Sequence, residues 1–239
     1  MNFLTFDSGA RLTPFLAEKP NGIGVLVLPG GGYWALATGH EGTEIAAWLS
    51  SRGFDAWMLE YRIAHTSYPA PLHPAPLEDA LHALMAIRAQ NRVSKLGVWG
   101  FSAGGHLAGH VATTPEAKLD FAVLAYPVVT LEKSFAHAGS RQGLLGENPD
   151  PKWVHSLSIE NRIGAQTPPM FLFHTGDDAG VPPENSLVLA AKLRENGVPF
   201  ELHIHENGRH GVGLASEIPD LRGWSEPLEI WLRKRKKAV

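Results

Sequence analysis

The chain has 239 residues, 44% hydrophobic and 19% charged, with a net charge of −3 and no cysteine. This balance supports a sizeable core, excludes a disordered chain, and offers no general attraction to nucleic acid or an anionic membrane. Disulfides and thiolate metal sites are excluded outright.

The segment Met1–Asp7 lacks a basic stretch followed by a long apolar run, so no signal peptide is visible. A cytoplasmic protein is expected, although a processed secreted form reads the same. No apolar run is long enough to span a bilayer. Ile23–Leu28 is a buried-strand candidate running into Pro29-Gly30-Gly31-Gly32-Tyr33. Glu41–Arg52 carries Ile45, Ala46, Trp48 and Leu49 at helical spacing, with Gly53 placed to cap it. Phe54–Tyr61 reads as the next strand, and Tyr68–Pro76, with four prolines, as a rigid loop. Pro76–Arg92 follows as an amphipathic helix with Leu77, Leu81, Leu84, Met85 and Ile87 on one face.

Lys95–Trp99, Phe121–Tyr126, Met170–His174 and Phe200–His205 are further short strands. Near-continuous apolar strands alternating with helices predict an α/β fold, a mostly parallel sheet covered on both faces. His203 and His205 alternate with Leu202 and Ile204, which assigns them to the more polar face of their strand. Residues 129–168 are polar and rich in Gly, Ser and Pro, and are expected to form a small helical insertion or lid within one domain spanning 1–239. The basic run Arg233–Lys237 reads as a solvated tail after a helix docked by Trp224, Leu228 and Trp231.

The chemistry concentrates in Gly100-Phe101-Ser102-Ala103-Gly104, a G-x-S-x-G directly after a strand and at the start of a helix-like run. Such a strained turn exposes a serine at the carboxyl end of the sheet. A serine hydroxyl reacts only when a base takes its proton, and a carboxylate must hold the base in one tautomer. Downstream, Met170–His174 runs into Asp177-Asp178, and Phe200–His205 runs into a glycine-flanked loop holding His210. Three successive strand ends thus offer Ser102, Asp178 (with Asp177 as the alternative) and His210, in the chain order of α/β-hydrolases. The oxyanion of an acyl-transfer intermediate would be met by the amide of Ala103 and by amides from Gly30-Gly31-Gly32. That glycine loop lacks both the P-loop ending and the dinucleotide spacing, which argues against nucleotide binding. His106 and His110 stand at i, i+4, but without an intervening glutamate or an obvious third ligand no metal site is expected. Tyr33, Trp34 and Trp153 are candidates for the rim of the site, where flat aromatics suit a sugar face or, equally, lid packing.

The chain resembles α/β-hydrolase serine esterases, and more narrowly the acetylxylan-esterase-like group of xylanase-associated carbohydrate esterases. The resemblance rests on Pro29-Gly-Gly-Gly-Tyr33, His40-Glu41-Gly42, Tyr68-Pro69-Ala70-Pro71, Gly100–His106, Gly139-Ser140-Arg141, Leu144-Leu145-Gly146, Phe173-His174 with Asp178, Pro182 with Glu184-Asn185-Ser186, and Gly208 with His210-Gly211. It implies Ser102 as nucleophile, Asp178 as orienting acid, His210 as base, and an oxyanion hole from Gly31, Gly32 and Ala103. The implied substrate is a small or oligosaccharide ester, with no cofactor, metal, nucleic acid or membrane partner; association into a homo-oligomer stays open. Two features depart from the pattern. Pro29 stands where lipase-type relatives carry His, and Leu72–Pro76 extends the proline loop. The alternative activity is that of a general short-chain carboxylesterase. A serine peptidase of this fold usually carries a further large domain, for which 239 residues leave no room. A non-catalytic binding module is the reading from another class.

Overall fold

A computed structural model describes residues 3–66 and 68–236; of the basic tail, Lys237 lies outside them. Among the described residues eight strands form one sheet in the order β1-β2-β4-β3-β5-β6-β7-β8. These are β1 (Leu4–Thr5), β2 (Arg11–Phe15), β3 (Ile23–Leu28), β4 (Asp55–Glu60), β5 (Lys95–Phe101), β6 (Phe121–Ala125), β7 (Met170–Thr175) and β8 (Phe200–His205). From β4 to β8 in that order every pair is parallel, while β1 and β2 extend the sheet antiparallel at one edge. β3, β5, β6 and β7 carry buried residues at every position but one, as strands covered on both faces must.

The described residues form seven α-helices: α1 (Glu44–Ser50), α2 (Ala75–Ala89), α3 (Ser102–Ala112), α4 (Ala138–Leu145), α5 (Pro151–Leu157), α6 (Glu184–Glu195) and α7 (Ser225–Arg233). Side chains on alternate strand positions point to opposite faces, which splits the core in two. One half gathers Leu26, Leu28 and Leu124 with α2, α3 and α6 residues such as Leu84, Leu107 and Leu189. The other gathers Val25, Val27, Phe171 and Phe173 with Leu49 of α1 and Trp231 of α7.

The expected strands and helices are present, and several details differ. α2 buries Ala80, Ala83, Leu84 and Ile87, whereas Met85 is 66% exposed. One residue beyond Leu84 lies about 100° further around the helix, off the buried stripe. On β8, the rings of His203 and His205 pack on Phe171 and Phe173, and Ile204 is the exposed member. β8 is an edge strand, and although α6 packs against Leu202 on the Ile204 face, Ile204 itself stays 39% exposed, so polarity does not sort its sides. A π-helical turn over Gly39–Thr43 precedes α1, which shortens the helix expected from Glu41. Gly53, at φ +88°, closes α1 as a glycine must. Segment 129–168 holds α4 and α5 and begins in the core, since Val129, Thr130 and Leu131 are buried. Trp224, Leu228 and Trp231 dock α7. No helix among the described residues is long and apolar enough to cross a membrane.

A candidate active site at the carboxyl ends of the parallel strands

Because β3, β5, β7 and β8 run the same way, the loops that follow them open on one edge of the sheet. Open α/β sheets bind their ligands at this edge. Ser102 follows β5 directly and sits at φ +52°, a left-handed conformation rare outside glycine. Its neighbours make the turn feasible. A Cβ on Gly100 would lie 2.1 Å from the Gly104 carbonyl oxygen, and one on Gly104 would lie 2.1 Å from that of Leu28. Glycine at both positions lets α3 press against the ends of β5 and β3, so the strain is held by packing.

The structure brings Ser102, His210 and Asp178 into one hydrogen-bonded line. His210 Nε2 is 2.8 Å from Ser102 Oγ, and His210 Nδ1 is 2.7 Å from Asp178 Oδ2. An ionised carboxylate only accepts, so Nδ1 carries the proton and Nε2 is left to accept from the Ser102 hydroxyl. Burial works against the charge on Asp178. Its contacts with His174 and His210 and the amide of Val181 outweigh that, and hold its carboxyl far below the usual carboxylate range. Oδ1 accepts from the amides of Gly180 (2.8 Å) and Val181 (2.9 Å). Gly180 also packs beneath the imidazole, where a Cβ would lie 3.0 Å from His210 Cγ. Asp177, the alternative acid, points away. It is exposed and accepts from the Gly208 amide at 2.6 Å, which ties the loop bearing His210 to the end of β7.

The glycine loop lies against the serine, since a Cβ on Gly30 would sit 2.9 Å from Ser102 Cβ. Its three amides are not equivalent. Gly30 N–H donates to Glu41 Oε2 at 2.8 Å, so it has no free hydrogen for an oxyanion. Gly31 and Gly32, at φ +133° and +67°, find no acceptor for their amides among the described residues. Ala103 lies in the first turn of α3, where amides have no helical partner.

The aromatic candidates divide. Tyr33 is 1% exposed and its hydroxyl donates to His106 Nδ1 at 2.9 Å. It belongs to the core beneath the loop rather than to the rim. Trp34 is 45% exposed with its Nε1–H donated to the Gly139 carbonyl at 3.0 Å. Trp153 is 51% exposed and lies against the His73 ring, 4.9 Å between centroids, at a cavity of about 310 Å³ lined also by Pro71, Pro74, Leu145 and Pro149. His106 has both ring nitrogens engaged, by Tyr33 and the Leu157 carbonyl, and His110 stacks on His73. Among the described residues no group of metal-ligating side chains is assembled.

Sequence reasoning missed the support of this line. Glu41 is buried and joins two loops: Oε2 takes the Gly30 amide, and Oε1 takes the Tyr126 hydroxyl at 2.9 Å. Tyr126 in turn accepts from the Gly213 amide and sets its ring edge-on to His210, at 5.1 Å. On the far side, His174 donates Nε2–H to the Val181 carbonyl at 2.9 Å and accepts from Ser186 at 2.7 Å, which steadies the turn holding Asp178. Asn185 takes the amides of Val129 and Thr130 and pins the start of segment 129–168 to α6. His40-Glu41-Gly42 and Glu184-Asn185-Ser186 were visible as motifs, but nothing in them disclosed these partners.

Residues 72–225 match the model of the prolyl oligopeptidase family. The chain belongs to that family of α/β-hydrolases. It is 42% identical to an acetyl ester-xyloside bifunctional hydrolase of Caldicellulosiruptor lactoaceticus, covering 95% of this chain and 88% of that structure with a TM-score of 0.86. An acetylxylan esterase of Xylanibacter ruminicola is 30% identical over 96% of this chain and 49% of its own length. Endo-1,4-beta-xylanase B of Butyrivibrio fibrisolvens is 36% identical over 84% of this chain and 34% of its own length. The chain thus spans half or less of the curated relatives it matches.

Proposed function

We propose that this family member is a serine esterase that removes small acyl groups, chiefly acetyl, from carbohydrate such as acetylated xylan or xylo-oligosaccharides. The observation that carries the chemistry is the unbroken line from Ser102 Oγ through His210 to Asp178, beside a loop with two amides that have no acceptor among the described residues. Ser102 Oγ attacks the ester carbonyl as His210 Nε2 takes its proton. Asp178, kept ionised, holds the imidazole in the required tautomer and stabilises the imidazolium that forms. The amides of Gly31, Gly32 and Ala103 receive the oxyanion. His210 then protonates the leaving alcohol, and a water activated by the same ring releases the acid and restores Ser102.

The carbohydrate part of the proposal is supported by the names of the relatives and by Trp34, whose exposed indole borders the glycine loop. A general short-chain carboxylesterase would use the same residues and differs only in preference. Acetate release is to be measured on acetylated xylan, acetylated xylo-oligosaccharides and simple aryl acetates, with fluorophosphonate labelling alongside. Release from the sugar esters and labelling at Ser102 are expected. A chain that stays unlabelled and releases no acetate would sink the esterase reading; efficient turnover of aryl esters alone would favour the carboxylesterase.

A further inference from the structure

His137 has no part in the line just described, yet its ring stands beside it. The residue precedes α4 and acts as its N-cap: Nδ1 faces the Ser140 amide at 3.1 Å and the Ser140 hydroxyl at 2.7 Å. An amide can only donate, so Nδ1 is an acceptor and the hydrogen of the neutral ring is carried on Nε2. Nε2 has no partner among the described residues, and the ring is half-buried. Burial, and then the neighbouring His210, hold its pKa below the usual histidine range, against the opposing pull of Asp178.

The surroundings of the ring give this N–H a direction. A Cβ on Gly32 would lie 3.9 Å from His137 Cε1 and 3.8 Å from Trp34 Cδ1, so the imidazole and the indole flank the same glycine. Trp34 cannot turn its own N–H to a ligand, because Gly139 at the start of α4 already accepts it. What remains beside Gly32 is a half-exposed indole and a preset neutral donor. That pairing matches a sugar ring, which offers C–H faces to aromatics and hydroxyl oxygens to donors.

We infer that His137 Nε2–H donates to a hydroxyl oxygen of the sugar that carries the ester, while the ring of that sugar lies against Trp34. The inference rests on the esterase reading and deepens it by naming the residue that tells a sugar ester from a plain one. Asparagine is a favoured N-cap, so His137→Asn keeps the cap of α4 while withdrawing the donor from the cleft. The experiment compares kcat/KM for an acetylated xylobiose with that for phenyl acetate, whose leaving group carries no spare hydroxyl. The ratio of the two constants is expected to fall about tenfold in His137→Asn, the size of one lost hydrogen bond, with the loss chiefly in KM. A ratio that stays at the wild-type value overturns the inference, as does a proportional loss on both esters, which would put His137 to work on the oxyanion loop. A wild-type chain that hydrolyses neither ester overturns the parent reading as well, and is told apart by that inactivity.

Discussion

The two ends of the glycine loop lead to histidines that differ in everything but residue type. At one end Gly30 rests on Ser102, which is bonded to His210; at the other Tyr33 is bonded to His106. His210 is partly open and faces the Asp178 carboxylate, so a proton arriving on its ring meets a compensating charge. His106 is fully buried between a hydroxyl and a carbonyl, with His110 and then His73 as its neighbours. Burial pushes its pKa down to about 4, and burial together with Arg162 pushes His110 to about 2. The lesson is that a carboxylate partner, not depth alone, separates the histidine proposed as the base from one held as a neutral strut. Removing that distinction is the most drastic test. Asp178→Asn is expected to lower kcat on the order of 10⁴-fold, with Ser102→Ala and His210→Ala at least as severe, while the far-ultraviolet spectrum is kept. Full activity in any of the three would break the assignment of that residue.

Glu41 extends the comparison to the loop itself. A buried carboxylate here binds an amide of one loop and the hydroxyl that positions another, so its loss should disturb both ends of the Ser102–His210–Asp178 line. Glu41→Ala leaves two buried donors, the Gly30 amide and the Tyr126 O–H, without their acceptor, at a cost of about 2–4 kcal/mol. Glu41→Gln keeps the shape but turns a donor toward one of two donors, and is expected to lower kcat about 10- to 100-fold with a smaller change in KM. Pre-steady-state kinetics on a chromogenic acetate would report this as a slower acylation burst; an undiminished burst in Glu41→Gln would leave Glu41 with a purely structural role.

Much of this arrangement could be read from the chain alone. Strand ends could be found because buried parallel strands are short apolar runs, and polar residues directly after them fall on one rim. That logic reached Ser102, Asp178 and His210 without a contact being known. It could not reach Glu41, whose role depends on burial against Gly30 and Tyr126, residues 11 and 85 positions away. It also placed Tyr33 at the rim, because a loop residue beside glycines looks exposed until His106, 73 positions on, is seen to take its hydroxyl. β1 and β2 were illegible for a different reason. β1 has two residues, and Pro14 in β2 reads as a strand breaker. The proline is tolerated because β1 pairs only with Arg11 and Leu12, which leaves β2 an outer edge at Pro14.

The neutral histidines set the next prediction, in acid stability. A histidine whose folded pKa is depressed leaves the proton to the unfolded chain first. Its contribution is therefore complete above about pH 6.5 and is lost as pH falls toward the folded value. For His106 that window runs from about 6.5 down to about 4. Each such group adds about 1.4 kcal/mol of destabilisation per pH unit within it. Asp178, also depressed, loses its contribution only below the ordinary carboxylate range, so the two effects separate along the pH axis. Urea midpoints between pH 8 and 4.5 should fall steeply in the wild type and less so in His110→Leu, which removes a titrating ring that no hydrogen bond holds among the described residues. Equal slopes in the two chains would show that His110 is not protonated on unfolding in this range.

The smallest effect expected is at Trp153, and it separates substrate contact from packing at the outer end of the same aromatic run. The side chain is half exposed and rests on His73, which stacks on His110, so truncation removes one ring contact and leaves the interior closed. Trp153→Ala is expected to cost about 1 kcal/mol of stability, in line with a surface aromatic pair. If Trp153 also lies along the path of a longer sugar chain, KM for acetylated xylo-oligosaccharides should rise a few-fold while KM for an acetylated monosaccharide holds. Equal KM values for long and short substrates in wild type and variant would confine Trp153 to covering His73. Carbohydrate contact would then rest on Trp34, the aromatic that borders the glycine loop.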